Sequence, residues 1–220
     1  MDALTFNSQR YSTFGANVEH EIRVRKLVAL VGQGKKVLDL GCLDGAIGQL
    51  LIRNGNCVWG IDASQAAVPL AREKGVDAQV GDLEKSIDLP DGSFDVVLAA
   101  EILEHILNLD GLLEEIRRVL VPDGHLVVST PNLAALGRRL LLLCNRNPHI
   151  EVSFAGGAAG HVRYFIRDTL FALLREHRFE IEEFTSDEIN LNAAGTLRLV
   201  GLATLCPTLG RSLIARVRRA

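Results

Sequence analysis

The fold is decided by the stretch Val37-Leu38-Asp39-Leu40-Gly41-Cys42-Leu43-Asp44-Gly45. It opens with a short apolar run that ends at an acid, which is typical of a buried parallel strand. Two glycines then predict a tight turn, and the spacing of Ile47, Leu50 and Leu51 predicts a helix after it. Glycines let a ligand approach the backbone, and the start of a helix offers unpaired N–H groups. The turn therefore predicts a nucleotide-type ligand.

The pattern of strand followed by helix repeats as far as residue 132. The predicted strands are Lys36–Leu40, Cys57–Asp62, Asp77–Val80, Phe94–Ala100 and His125–Thr130. The predicted helices are Ala16–Val31, Ala46–Arg53, Ser64–Glu73 and Leu109–Leu120. Such alternation predicts an α/β fold with a doubly wound, mostly parallel sheet, and a ligand beyond the carboxyl ends of its strands.

After Pro131 the alternation stops and leucine and arginine become frequent. Helices are predicted at Leu133–Cys144 and Phe165–His177, with a Gly/Ala-rich loop at Ala155–Gly160 between them. A strand is predicted at Phe179–Phe184 and an antiparallel edge strand at Leu213–Val217, which brings the sheet to about seven strands. Residues 192–205 fit either a helix or a strand.

The 220 residues are predicted to form a single domain with three parts. These parts are an N-terminal arm and helix (1–34), a ligand-binding core (35–132), and a lid with C-terminal strands (133–220). The start of the chain lacks the pattern of a signal peptide, and the longest apolar run, Leu140–Cys144, is too short to span a membrane. Four scattered cysteines without a Cys-x-x-Cys pair predict reduced thiols in a cytoplasmic protein, with no metal site.

The net charge of −3 hides an asymmetry between the two parts of the chain. Residues 1–132 carry 19 acids and 12 bases, whereas residues 133–220 carry 8 acids and 12 arginines. Either the arginines form an ordinary solvated surface, or the C-terminal third faces an anionic substrate or a membrane surface. Nucleic acid is not expected as a partner, because basic and aromatic residues are not interleaved.

The glycine turn does not fit a dinucleotide. Leu43 occupies the middle position of the Gly-x-Gly-x-x-Gly pattern, and Asp44 would face two phosphates. Acids follow the predicted strand ends at Asp39, Asp62, Asp82 and Glu101. Four carboxylates around one crevice suit a ligand with ribose hydroxyls, an amino group and a positive charge, and S-adenosylmethionine is such a ligand.

Residues 35–185 resemble the class I S-adenosylmethionine-dependent methyltransferases, in the broad small-molecule group related to ubiquinone-biosynthesis O-methyltransferases. The matching stretches are Val37–Gly45, Val58–Asp62, Gly81–Leu83, Phe94–Val97, Glu101–His105 and Leu120–Asn132. The resemblance implies the Rossmann-like methyltransferase fold and methyl transfer. The loop departs from the family pattern at Leu43, where a second glycine is common, and leucine is expected to keep a negative φ angle there.

The resemblance also implies how the cofactor is held. The residues expected to contact S-adenosylmethionine, or its product S-adenosylhomocysteine, are Asp39, Gly41, Cys42, Gly45, Asp62, Ala63, Asp82, Leu83, Ala100 and Glu101. Asp62 would accept both ribose hydroxyls, and Asp82 would contact the adenine amino group. Asp82 could instead cap its loop.

Two histidines are candidates for the chemistry. His105 lies one helical turn after Glu101 and would act as a general base toward an alcohol acceptor, or else would only bond a loop carbonyl. His161 belongs to a His-x-Arg-x-Phe stretch that resembles relatives, and it would bind substrate or, with Arg163, support the lid. Glu101 and Glu104 are weaker candidates for the base.

The methyl acceptor is the least determined feature. The resemblance favours a hydroxyl of a small metabolite, sugar, glycan or quinone-like molecule, with methylation of an amino sugar as an alternative. The Leu133–Leu143 segment would be a lid over the acceptor or a patch on a membrane surface. The chain would be a monomer or a homodimer. Two other hypotheses stay open: a cofactor-binding partner subunit without turnover, and an NAD-linked oxidoreductase.

Overall fold

The computed structural model describes Val18 and residues 20–151, 160–192 and 197–220. Its strands are β1 (Lys36–Leu40), β2 (Cys57–Asp62), β3 (Asp77–Val80), β4 (Phe94–Ala100), β5 (Leu120–Pro131), β6 (Phe179–Thr185), β7 (Ile189–Asn190), β8 (Arg198–Leu199) and β9 (Ser212–Arg219). Its α-helices are α1 (Ile22–Val31), α2 (Ala46–Arg53), α3 (Ala67–Glu73), α4 (Leu109–Val119), α5 (Leu136–Leu143), α6 (Arg167–Glu176) and α7 (Gly201–Leu205). Short 3-10 helices span Leu103–His105 and Pro207–Leu209.

A seven-stranded sheet has the order β3-β2-β1-β4-β5-β9-β6. Strands β1 to β5 pair in parallel, and β9 runs antiparallel to both of its neighbours. The predicted doubly wound, mostly parallel sheet is confirmed. The expected edge position of the last strand is wrong, because β9 lies between β5 and β6. Four of its residues from Leu213 to Val217 are fully buried, as an interior strand requires.

Alternate residues of β1 serve the two faces of this sheet. Val37 packs with α1, α2 and α3 on one face, while Leu38 and Leu40 pack with α4 and α6 on the other. Both faces are covered, which explains why the strand is a continuous apolar run apart from Asp39. Asp39 lies near the carboxyl edge of the sheet. There β1 and β4 are neighbours, and the direction of the strand order reverses between them.

Several predicted boundaries move for local reasons. Helix α1 begins at Ile22 because Glu21 is extended, and α5 begins at Leu136 because Ala135 has a non-helical ψ of 146°. Strand β5 begins at Leu120 instead of the predicted His125 and includes Pro122–Gly124, with a register irregularity between Phe94 and Val96 of β4.

The ambiguous segment 192–205 contains both kinds of element. Strand β8 pairs with β7 in a separate two-stranded sheet, and α7 follows directly. Residues 1–15 of the predicted N-terminal arm lie outside the described residues, as do residues 155–159 of the predicted loop. No helix in the described part of the chain is long and apolar enough to cross a membrane.

Candidate active site

A cavity of about 390 Å³ opens at the carboxyl ends of β1, β2 and β4. This volume lies within the range of about 300–1,000 Å³ that is usual for cofactor pockets. Eleven of the predicted site residues line it, namely Asp39, Gly41, Cys42, Asp62, Ala63, Asp82, Leu83, Ala100, Glu101, His105 and His161. The fold therefore gathers residues that are far apart in the sequence into one crevice.

Gly45 is the predicted residue that does not line the cavity. Its N–H donates to the carbonyl oxygen of Cys42 at 2.8 Å, and its φ of 75° is in the left-handed region. A Cβ atom there would lie 2.8 Å from the Cα of Ala71. Gly45 therefore closes the turn and lets α2 pack against α3, rather than facing the ligand.

The turn after β1 is held by neighbouring backbone. The N–H groups of Gly41 and Cys42 both donate to the carbonyl oxygen of Ile61 on β2, at 2.8 and 3.2 Å. The expectation of a negative φ at Leu43 is wrong, since its φ is 47°. This left-handed conformation directs the N–H of Leu43 to Oδ2 of Asp62 at 2.8 Å. Leucine accepts an unfavourable backbone here because a buried carboxylate receives its N–H.

Asp62 is fixed by two backbone donors. Its Oδ1 accepts from the N–H of Ser64 at 2.8 Å, while Oδ2 accepts from Leu43. Burial raises the pKa of this carboxyl, and the two hydrogen bonds oppose that rise. An oriented carboxylate at the end of β2 is suited to accept the paired hydroxyls of a ribose.

Asp39 has a different environment. Its side chain is 2% exposed, and its Oδ2 has no hydrogen-bond partner. Burial, with the nearby charge of Asp62, raises the pKa of Asp39 to about 8. An unpaired buried carboxyl is unfavourable without a partner, so this position fits a ligand that brings a cationic amino group.

Two further acids, Asp82 and Asp44, line the cavity. Asp82 accepts from the N–H of Glu84 at 3.1 Å and lies 3.4 Å from the ammonium of Lys85. It therefore caps its loop as well as lining the cavity. Asp44 forms a 2.8 Å ion pair with Lys74 and also lines the cavity, where its carboxylate opposes a pyrophosphate.

The far side of the cavity is built on the end of β4. Glu101 has a φ of 57°, and its Oε1 accepts from the hydroxyl of Ser129 at 2.8 Å. Glu104 is 1% exposed, and its Oε2 accepts from the hydroxyl of Thr130 at 2.9 Å. Burial, with the charge of Glu101, raises the pKa of Glu104 to about 8. Its other carboxylate oxygen, Oε1, has no hydrogen-bond partner.

The two candidate histidines meet at this far side, with ring centroids 5.0 Å apart. Nδ1 of His105 lies 3.3 Å from the carbonyl oxygen of Gly160, which can only accept a hydrogen bond. When the neutral ring carries its proton on Nδ1, Nε2 has a lone pair that can accept a proton. The backbone N–H of His161 donates to Oε2 of Glu151 at 3.0 Å, and the ring of His161 packs edge-on against Tyr164.

Arg163 does not line the cavity, and it donates to the carbonyl oxygen of Leu107 at 2.9 Å. It therefore ties the His161 segment to the loop after the 3-10 helix. Arg23 of α1 was missed by sequence reasoning; it lines the cavity and lies 3.6 Å from Glu101. No motif marks Arg23, because only packing of α1 near the end of β4 brings it to the site.

Comparison with known proteins gives concordant results. A family model described as a methyltransferase domain matches residues 38–128. The chain is 31% identical over 163 residues to a ubiquinone biosynthesis O-methyltransferase of Thiobacillus denitrificans, covering 71% of this chain and 69% of that one. It is 32% identical to a probable S-adenosylmethionine-dependent methyltransferase of Mycolicibacterium smegmatis, covering 91% of this chain and 70% of that one.

A solved structure shares the fold at lower identity. The 1,6-didemethyltoxoflavin-N1-methyltransferase of Burkholderia thailandensis, crystallised with S-adenosylhomocysteine, is 19% identical with a TM-score of 0.61. The match covers 91% of this chain and 80% of that one.

The chain belongs to the class I S-adenosylmethionine-dependent methyltransferases. It is an enzyme of that family, and its cofactor is S-adenosylmethionine. The unpartnered oxygen of Asp39 and the oriented carboxylate of Asp62 fit the amino and ribose groups of that cofactor.

Proposed function

We propose that this enzyme transfers a methyl group to a hydroxyl of a small acceptor, either a sugar or glycan or a quinone-like metabolite. The observation that carries the proposal is the pair His105 and His161, which lines the cofactor cavity beside Glu101. A hydroxyl must lose its proton as it is methylated, and an imidazole accepts a proton near neutral pH.

The residues of the chain have distinct tasks in this reaction. When bound, the cofactor would supply an electrophilic methyl group on a sulfonium. Asp39 would hold its amino group and Asp62 its ribose hydroxyls. The carbonyl oxygen of Gly160 orients the ring of His105, so that its Nε2 would be free to take the proton of the acceptor hydroxyl. Such positioning supplies much of the acceleration in a displacement that disperses charge.

The name of a similar protein supports an oxygen of a quinone-like acceptor. The Thiobacillus denitrificans protein is named as a ubiquinone biosynthesis O-methyltransferase. An amino group would need no base if it arrived neutral, so the histidine pair favours oxygen over nitrogen. A partner subunit without turnover would have no use for these rings beside the cavity.

We also propose peripheral contact with a membrane surface in a reducing, cytoplasmic setting. Leu143 on α5 and Leu205 on α7 are 84% and 79% exposed, which supports a surface patch over a closed lid. Helix α5 contacts β7, whose partner β8 leads into α7, so both residues belong to one region.

All four cysteines are unpaired thiols, as expected where disulfides are reduced.

The proposal is tested by substituting His105→Ala and measuring binding and turnover separately. Cofactor binding should be retained, because His105 is not among its holders, while turnover should fall about a hundredfold or more. His177→Asn is the matched control, since that histidine pairs with Asp110 outside the cavity. Unchanged turnover in His105→Ala would return this residue to a purely structural role.

A further inference from the structure

We propose that Glu151 is a positioning residue for the reaction, and that it acts on His105 through the peptide bond between Gly160 and His161. Oε2 of Glu151 accepts the N–H of Gly160 at 2.7 Å and the N–H of His161 at 3.0 Å. The carbonyl oxygen of Gly160 lies 3.3 Å from Nδ1 of His105. This role rests on the proposed function, in which His105 is the base.

A single planar group carries both contacts. The carbonyl oxygen of Gly160 and the N–H of His161 belong to the same peptide group, whose atoms are held in one plane. No cis peptide bond occurs among the described residues, so this C=O and this N–H point in opposite directions. Glu151 therefore lies on one side of the peptide group and His105 on the other. A hydrogen bond that fixes the N–H also fixes the direction of the carbonyl.

A carboxylate is well suited to hold this peptide group. Hydrogen bonds from a backbone N–H to an ionised carboxylate are about twice as strong as those between neutral groups. Gly160 has a φ of 81°, in the left-handed region that favours glycine. Successive N–H groups converge on one anion where the backbone adopts such a conformation. Loss of the carboxylate would leave both N–H groups without this acceptor and would free the peptide plane to turn.

Further hydrogen bonds hold the surroundings of this peptide group. The backbone N–H of Glu151 donates to the hydroxyl of Tyr164 at 2.5 Å. The N–H of Val162 donates to the carbonyl oxygen of Glu104 at 2.9 Å, and Glu104 directly precedes His105 in the 3-10 helix. The peptide group is thus held between Glu151 and the helix that carries the proposed base.

The direction of the Gly160 carbonyl decides which nitrogen of His105 carries the proton. Because a carbonyl oxygen only accepts hydrogen bonds, it favours the proton on Nδ1 and leaves Nε2 able to take the proton of the acceptor hydroxyl. If the peptide turns, Nδ1 loses this partner and the ring divides between its two tautomers. Glu151 then orients the base as the third group of a nucleophile–base pair does, although through a backbone peptide. No proton passes through that peptide.

Four variants of the full-length chain test this role. Glu151→Ala removes the carboxylate, and Glu151→Asp keeps the charge but is too short to reach both N–H groups. Each should lower kcat about tenfold or more, with little change in the KM for the acceptor or in the affinity for S-adenosylhomocysteine. Glu151→Gln keeps an acceptor oxygen at the same reach and should retain about a third or more of kcat. Glu176→Ala, at an exposed glutamate that ends α6, is the control and should change nothing.

The tautomer of His105 is the measurement that a merely structural role would not move. Nitrogen-15 NMR of protein labelled at histidine distinguishes a proton on Nδ1 from one on Nε2, and His105→Ala identifies the signal. We expect the proton on Nδ1 in the wild type and in Glu151→Gln, and a mixture of tautomers in Glu151→Ala and Glu151→Asp. If Glu151→Ala fails to fold, Glu151→Asp decides the question.

A wild-type ring with its proton on Nε2 would overturn the proposal, as would alanine and aspartate variants that keep both the Nδ1 proton and kcat. A loss of affinity for S-adenosylhomocysteine as large as the loss of kcat would also overturn it, because Glu151 would then support the whole site. Failure of the wild type to methylate any acceptor would refute the proposed function, whereas the NMR measurement would still decide whether Glu151 fixes the ring.

Discussion

At the level of single residues, the cavity contains two carboxyl groups with opposite surroundings, and we propose that both hold the cofactor. Asp62 is held by two backbone N–H groups, while one oxygen of Asp39 has none. The first is ready to accept hydrogen bonds from hydroxyls, and the second is ready to receive a positive charge. This difference separates the roles of two residues that look alike in the sequence.

Asp62→Ala should weaken binding of S-adenosylhomocysteine by about a hundredfold or more, since two charge-assisted hydrogen bonds are lost. Isothermal titration calorimetry measures this directly. Asp77→Ala is the control, because Asp77 is an exposed carboxylate at the opposite end of the sheet. Binding within a factor of a few of the wild type would refute the role of Asp62.

Asp39 should make cofactor binding depend on pH. Its raised pKa of about 8 means that the empty site holds a proton at pH 6–7, and a bound cationic amino group expels it. Binding therefore releases a proton, so affinity should rise with pH and level off above about pH 8. Calorimetry in buffers of different ionisation enthalpy measures the released proton.

Asp39→Asn should remove this proton release and flatten the dependence of affinity on pH. The same release in the variant as in the wild type would assign the titration to another group. The raised pKa of Asp39 also affects the stability of the folded protein. Because the folded state holds the proton more tightly than the unfolded chain, Asp39 should lower the free energy of unfolding of the empty protein as the pH rises toward 8.

At the level of elements, the turn between β1 and α2 places the end of the sheet against the cavity proposed for the cofactor. The sequence predicts this strand, turn and helix, because the apolar run, the glycines and the helical spacing are local signals. It does not predict the φ of 47° at Leu43, because that angle is imposed by Asp62 from the next strand. The departure from the family's glycine is thus accommodated by a tertiary contact.

Leu43→Gly should change the free energy of unfolding by no more than about 1 kcal/mol, since relief of the left-handed strain offsets the entropy of glycine. Leu50→Gly within α2 is the control and should destabilise by about 1 kcal/mol or more. Chemical denaturation measures both. Loss of cofactor binding in Leu43→Gly would show that the leucine side chain itself holds the ligand.

The exposed leucines of α5 and α7 belong to elements that can be altered without touching the sheet. Leu143→Glu combined with Leu205→Glu should abolish co-sedimentation with anionic phospholipid vesicles, because charged side chains resist burial in lipid. Leu107→Glu, also at an exposed leucine, should not. A truncation that removes β9 would not test membrane contact, because it would take an interior strand out of the sheet. Wild-type protein that stays in solution would refute membrane contact.

At the level of the whole molecule, the sheet and its ligand edge follow from the sequence because parallel strands and crossovers leave few topologies. The position of β9 does not follow, since the pairing of a late strand with β5 and β6 is a non-local choice. For the same reason the sequence predicts the individual site residues but not how they are arranged around the cavity. That His105, His161 and Glu104 converge, and that Arg23 joins them, emerges only from the fold.

The central claim is that this family member methylates a hydroxyl, and transfer of labelled methyl from S-adenosylmethionine tests it most directly. Phenols, quinone precursors and hydroxylated sugars should be offered as acceptors, and mass spectrometry should locate the label. We expect label on an acceptor oxygen, with transfer lost in His105→Ala and retained in His177→Asn. Cofactor binding without transfer to any acceptor, or transfer only to nitrogen, would contradict it.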